Sequence, residues 1–540
     1  MNKFSKILAI AAAATLICSS FAGCGKKEEA VKTENEVNNF TYWTVLDNNV
    51  MKANISNYND LLFYQEMEKA TGVHIDFIHP IQGSTGSEAF MTMLSSPDRP
   101  DMIEYNWASY SGGSQKAIDD EVVVCLNDYL EKHAPNYYDY MEGEKGKEHD
   151  YLYKLQGTTD EGNYYGFNSL SIGTTRVFQG VYARGDKLEE WGMEIPETID
   201  EWTAVLAKAK EEGFKEPFTA QDGVFSNLFA NYTFSTGFDV GKSFYVNDGK
   251  VVFGPFEKGY KEYVAKMAEW VKLGYLDTGF VTNDAAAVNG NISNGTSFAA
   301  WGYISTLSEL ETAGKLNDPN FTLVACPFPA PEKGGVAKYN GISGEATALA
   351  IGISPECPGI ETAVEWCDFL YSEEGSTLRN FGVEGDTYTI EEIDGEKHFV
   401  YTDKIMIPEN SGVQTISEAL YKHMLPANHP GLNQHPDYLA GYYPLDNQKD
   451  AMKVWNANVD VAREHVLPVL TYTEDEAREK TDLLEVVQDE LEVAIIDIIL
   501  GNKDISTYDA VMENAKKNGY NKALEIIQTA YDRYMAKLNR

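Results

Sequence analysis

The chain is short of positive charge. Against 83 aspartates and glutamates it carries 44 lysines and arginines, for a formal net charge of −39. A surface that neutralises phosphates needs the opposite sign, so nucleic acid is a poor partner. The same excess disfavours lying flat on an anionic membrane and serves solubility. Long apolar runs are missing too. Beyond Ile7 to Ile17 no stretch approaches the roughly 18 uncharged apolar residues that cross a bilayer. Cysteine is sparse: there are six, and no two of them form a CxxC pair, which leaves a zinc ribbon or a thioredoxin-type motif unsupported. HExxH is absent, and Gly341-Ile-Ser-Gly344 lacks the GxSxG pattern. No Gly-x-x-x-x-Gly-Lys-Ser/Thr loop is present, so an ATPase would have to be a separate chain. No repeat period is visible.

What remains is an ordinary folded composition, 43% hydrophobic, 24% charged and 12% aromatic. At 540 residues the chain exceeds what one core supports, so at least two lobes are expected. Tyrosine is abundant at 33 residues, offering flat apolar rings with a hydroxyl for water or ligand.

The N-terminus carries an address. Lys3 and Lys6 precede the apolar run, which has the length of a signal-peptide core. Phe21-Ala22-Gly23-Cys24 then resembles the bacterial lipobox, in which the cysteine is diacylated and the chain is cut before it. Cys18 fits less well, because Ile17 stands where a small residue is needed. The expectation is a lipoprotein signal peptide over 1–23, lipidation at Cys24 and a polar, flexible tether over 24–39. Two acyl chains anchor stably. The protein would sit on the outer face of a bacterial cytoplasmic membrane, facing outward; a plain secretory peptide is the alternative. Cys125, Cys326, Cys357 and Cys367 are expected as buried free thiols, with a Cys357–Cys367 bridge left open.

Periodicity gives an alternation of strands and helices. Phe40 to Leu46, Val73 to Ile78 and Met102 to Tyr105 read as strands, with Leu61–Ala70 and Ala89–Ser95 as helices between them, a parallel α/β pattern. It resumes with a strand over Val177–Arg184, a short helix over Asp186–Trp191, and a helix opened by Thr198-Ile-Asp-Glu201 that Gly213 stops. Phe244 to Phe253 reads as a hairpin around Asn247-Asp-Gly249. A further amphipathic helix carries Tyr260 to Val271 and ends at Gly274. Helices fill the last seventy or so residues.

In order and spacing these segments resemble the solute-binding lipoproteins of bacterial carbohydrate ABC importers, the large maltose-binding-like class. The match is carried by Ser95-Ser-Pro-Asp-Arg-Pro-Asp101 before a strand; by Tyr165-Gly-Phe-Asn168 leading to Arg184-Gly-Asp-Lys-Leu-Glu-Glu-Trp-Gly192; and by Ile195-Pro-Glu-Thr-Ile-Asp-Glu-Trp202. Asn247-Asp-Gly-Lys-Val251 with the helix to Gly274-Tyr-Leu-Asp277, Gly382-Val-Glu-Gly385, and Tyr531-Asp-Arg-Tyr534 near the end extend it. One departure stands out: the calcium loop that some members carry before the Pro-Glu-Thr helix is absent, since Trp191-Gly-Met-Glu-Ile195 runs straight into Pro196. No metal or other cofactor is expected.

The resemblance implies a two-lobe, periplasmic-binding-protein-like (type II) α/β fold with hinge crossovers and a helical C-terminal region. Lobe one would hold 40–168 and 332–408, and lobe two 175–330 and 409–540. Ligand would bind between lobes that close over it and stabilise the closed state. A sugar cleft needs aromatic platforms and groups that both accept and donate hydrogen bonds. Cleft loops lie at the carboxyl ends of strands, which selects Trp43, Asp47, Gln82, Ser84, Asn106 and Trp107. Trp301 and Tyr303 match an aromatic platform of the second lobe, and Glu345 marks re-entry into the first. Each has a plainer reading: Trp43 and Trp301 as core, Asp47 as a helix cap, Glu345 as the partner of an interior arginine.

His423, His429 and His435 lie in HMLPANHPGLNQH, where Pro426 and Pro430, with Pro436 directly after, rule out a continuous helix, so a loop with exposed imidazoles is expected rather than a metal site. A loop of this length could reach the cleft, with Tyr442 and Tyr443 beside it. The implied function is delivery of a sugar, an oligosaccharide by preference, by a monomer to a membrane permease, with no catalysis. A surface glycoside hydrolase or lyase using two of the many carboxylates, and a peptide-binding lipoprotein of similar fold, are the alternatives.

Overall fold

The computed structural model describes residues 37–81, 86–225, 227, 234–426 and 428–538. The expected signal peptide, Cys24, most of the tether, Gln82 and Ser84 therefore lie outside the described residues.

Two sheets organise the chain. In the first, six strands lie side by side in the order Gly431–Asn433, Phe167–Ser171, Ala346–Ile353, Met102–Asn106, Asn39–Trp43, His74–Ile78. Asn39–Trp43 runs parallel to both of its neighbours. The connecting helices, Leu62–Thr71 and Gly86–Leu94, supply the crossovers that parallel pairing requires. The first of them stops where Gly72 turns left-handed, at φ 70°. Ala346–Ile353 inserts antiparallel between Met102–Asn106 and Phe167–Ser171. The second sheet has the order Leu323–Ala325, Gln179–Arg184, Ala299–Tyr303, Phe218–Thr219. The hairpin Phe244–Asn247/Lys250–Phe253 forms apart from it.

Each sheet owns a core. Phe40, Tyr42, Phe77, Ile351, Trp366 and Leu370 belong to the first. Val181, Trp202, Val205, Leu206, Phe218 and Trp270 belong to the second. The helix Ile199–Glu211 buries Trp202, Val205, Leu206 and Ala209 on one face. Its start differs in detail from a capping box. Thr198 accepts from the Glu201 N–H at 3.3 Å, but Glu201 reaches back to the N–H of Glu197, at 2.9 Å, rather than to that of Thr198. The C-terminal helices Glu474–Ile499 and Tyr508–Ala515 lay Leu491, Ile495, Ile498, Tyr508 and Met512 into the second core.

The chain passes from the first sheet to the second between Ser171 and Gln179, and back between Ala325 and Ala346. The segment after 409, expected with the second lobe, is shared: Gly431–Asn433 pairs in parallel with Phe167–Ser171 of the first sheet. It is covered there by backbone bonding that no hydrophobic pattern announces. A third cluster packs Tyr401, Leu420, Tyr443 and Trp455 against Tyr182, Ala300 and Ile304 of the second sheet and its next helix. The four described cysteines are free; Cys326, Cys357 and Cys367 are buried as expected, whereas Cys125 is only half-buried.

Candidate functional site

Three parallel strands, Asn39–Trp43, His74–Ile78 and Met102–Asn106, end on one side of the first sheet, and their exits open onto a cavity of about 740 Å³. That is the place and the size at which open α/β sheets hold small ligands. Trp43 and Tyr105 contribute aromatic wall, and Asp47, Asn48, Asn106 and Asn428 contribute polar groups. Trp43 is held edge-on to Phe90 at 6.1 Å, and Tyr105 stacks on the same ring at 3.6 Å with 6° between planes.

Asp47 combines two tasks. Its carboxylate accepts from the Asn49 N–H at 2.7 Å and so caps the helix Asn48–Lys52, while its own N–H donates to the Tyr58 hydroxyl at 3.1 Å. Beneath it lies a buried polar network. The Glu104 carboxylate accepts from Tyr42 Oη–H at 2.5 Å and Thr44 Oγ1–H at 3.1 Å, and it meets His429 Nδ1 at 2.8 Å. His429 Nε2 stands 2.7 Å from the Tyr58 hydroxyl. Burial works against the ionised form of Glu104, but His429 and the hydroxyl donors outweigh it and hold the carboxyl below its usual range. His79 braces the same corner. It accepts the Tyr58 N–H on Nε2 at 3.1 Å, so its Nδ1–H donates to the Thr44 carbonyl at 2.8 Å. Burial lowers its pKa, in keeping with a neutral ring.

His429 arrives from far along the sequence, and Arg379 fastens its segment. The fully buried guanidinium donates to the carbonyls of Pro426, His429 and Pro430 at 2.9, 2.7 and 2.7 Å. Burial pulls its pKa down to about 10. The expectation of exposed imidazoles is therefore corrected. His429 is buried against Glu104. His423 ends the helix Ile416–His423, is buried beside Ser411 Oγ at 3.0 Å, and is pulled down to about 4 by that burial. His435 is half-buried.

The structure brings Trp43, Asp47 and Asn106 to one cavity, and Ile81 and Gly86, which flank the undescribed Gln82 and Ser84, line it too. Trp107 is turned the other way. It is fully buried, donating its indole N–H to the Ala350 carbonyl at 2.9 Å, and supports the floor from below. Trp301 and Tyr303 end a strand of the second sheet and do not line this cavity. Tyr303 is 46% exposed, and Trp301 lies buried 5.5 Å beneath it without a partner for its indole N–H among the described residues. Glu345 sits at a crossing between the sheets as the partner of one buried arginine, Arg176, and one exposed arginine, Arg463. Its Oε1 is 3.1 Å from Arg463 and 3.7 Å from Arg176, and its Oε2 accepts from Gln156 at 3.0 Å. Tyr443 is buried in the third cluster, packed on Tyr442. Sequence reasoning passed over Glu104 and Asn428. Glu104 sits mid-strand like any core position, and Asn428 is one polar residue in a proline-rich loop.

Two sheets with separate cores, a chain that passes between them more than once, and a cavity at the strand ends define a two-lobed solute-binding fold. Comparison with known proteins gives the family. The family described as "Bacterial extracellular solute-binding protein" matches residues 52–377, more than half of the chain, and the chain belongs to it. Among curated relatives, the fructooligosaccharide ABC transporter substrate-binding protein FusA of Streptococcus pneumoniae is 25% identical over 411 residues, 71% of this chain and 72% of its own. Among solved structures, an HMO-binding, ABC-transporter-associated solute-binding protein from Bifidobacterium longum infantis superposes with TM-score 0.71 at 16% identity, covering 93% of this chain and 99% of that one. The alginate-binding protein AlgQ2 superposes with TM-score 0.68 at 19% identity, covering 94% of this chain and all of its own.

Proposed function

We propose that the protein is a lipid-anchored extracellular substrate-binding protein that delivers a carbohydrate, an oligosaccharide by preference, to an ABC importer. The observation that carries this reading is the cavity at the strand ends, where aromatic walls and side-chain amides meet. Sugar rings present flat CH faces to the former and hydroxyls to the latter. The carbohydrate named for FusA gives it independent support. Trp43, Asp47 and Asn106, with Gln82 and Ser84 that follow Ile81 in the sequence, serve as the first-lobe half of the site, and Tyr303 over Trp301 as the second-lobe half. The first lobe takes the first sheet with 40–168 and most of 332–433, and the second takes 175–330 with the C-terminal helices. Hinge closure brings the halves together, and the permease reads the closed state. Cys24 carries the anchor.

An enzyme is the weaker reading. A general acid needs a carboxyl raised toward neutrality, whereas Glu104 is held low by His429 and two hydroxyls. The test is a thermal-shift screen of the purified protein against mono- and oligosaccharides. A true ligand at 100 times its dissociation constant adds about 2.7 kcal/mol of stability. Turnover of a glycan, or a response to peptides alone, contradicts the proposal.

A further inference from the structure

We infer that the first-lobe cavity selects uncharged, hydroxyl-rich glycans and rejects acidic ones such as uronate oligosaccharides; this rests on the carbohydrate reading above and narrows it. Among the described residues that line the cavity, the ionisable side chains are Asp47, Glu104, His429 and the phenol Tyr105, with no lysine or arginine.

The basic groups around the cavity are placed away from its interior. Arg379 spends its guanidinium on three backbone carbonyls of the segment 426–430 and is fully buried behind it. His429 is held between Glu104 and Tyr58. Lys52, at the far end of the helix that Asp47 caps, is exposed and does not line the cavity.

A sugar carboxylate brought into this space loses water and finds no lysine or arginine among the described lining residues to replace it. It also approaches the half-buried carboxylate of Asp47, a like charge. The side chains at the mouth are instead amides. Asn48, Asn106 and Asn428 each offer donors and an acceptor, the complement of a hydroxyl, which is itself both. A carboxylate can use only half of that set. The discrimination is thus built from what is refused as much as from what is bound.

The experiment is isothermal titration calorimetry on the full chain with matched trimers. Kestose, maltotriose, mannotriose and xylotriose form the uncharged set, and trimannuronate and trigalacturonate the acidic set. At least one uncharged trimer is expected to bind, and every uronate trimer to bind at least tenfold more weakly. A uronate that binds as tightly as the best uncharged trimer overturns the selectivity while leaving the carbohydrate reading intact. Binding of no sugar of either set contradicts the carbohydrate reading itself, and the selectivity falls with it. Asp47→Asn keeps an oxygen able to cap the helix and removes the charge. It is expected to narrow the gap between the two sets at least threefold. A gap that it leaves unchanged takes the selectivity away from this cavity and overturns the assignment.

Discussion

At the scale of single residues, the site depends on Glu104. Its carboxylate is buried with donors on both oxygens, so truncation leaves His429 and two hydroxyls without the acceptor they were built around. Breaking such a buried pair costs about 3–5 kcal/mol. Glu104→Ala is expected to lower the free energy of unfolding by an amount in that range, read by urea denaturation; a loss under 1 kcal/mol contradicts the network. His423 gives a pH signature. Its folded pKa of about 4 lies below the ordinary 6.5, so the unfolded chain takes up the proton first. Its contribution to stability is complete above pH 6.5 and is lost as pH falls from there toward about 4. With residual solvent screening allowed for, this amounts to about 2 kcal/mol. His423→Gln should therefore flatten the stability profile between those limits, as followed by denaturation at a series of pH values. An unchanged slope refutes the assignment. At this scale the sequence is least informative. Rules of strand-end placement select Trp43, Asp47 and Asn106, which line the cavity, and equally Trp107, whose ring turns under the sheet to meet Ala350. Nothing local announces that His429 travels across the fold to Glu104, because that contact joins residues more than three hundred apart.

At the scale of elements, two features hold the candidate site in place. The short helix Asn48–Lys52 carries Asn48 and Met51 into the cavity and depends on its Asp47 cap. Asp47→Ala should cost about 1 kcal/mol of stability. The crossings between sheets are stitched by Glu345, which faces Arg176 on one crossing and Arg463 on a later segment. Glu345→Ala leaves the buried Arg176 without its counter-charge, though its guanidinium still donates to the Ser171 hydroxyl and the Gly173 carbonyl, and is expected to destabilise by about 3 kcal/mol, with the loss visible as a lower Tm; a Tm unchanged from the parent chain contradicts the role. Elements with one wet face were legible. The spacing of Trp202, Val205, Leu206 and Ala209 predicts the helix that forms, and Asn247-Asp-Gly249 predicts its hairpin. Ala346–Ile353 was not foreseen. Its run of small and β-branched residues lies between two strands and is buried over its second half, so no clean alternation marks it.

For the whole molecule, the division into two lobes follows from size and from the order of strand and helix, and the two separate cores bear it out. The assignment of the later segments was harder to read. The chain between 388 and 455 contributes both to the first sheet and to a cluster on the second, and such sharing is fixed by packing rather than by any pattern along the sequence. The function proposed above is, at this scale, closure of the lobes over the ligand. A ligand that touches both lobes shifts the population toward the closed form by its differential affinity for that form. Small-angle X-ray scattering of the full chain, alone and saturated with the uncharged oligosaccharide that calorimetry shows to bind, measures this directly. The account predicts a smaller radius of gyration in the saturated sample, and a radius unchanged at full occupancy contradicts it.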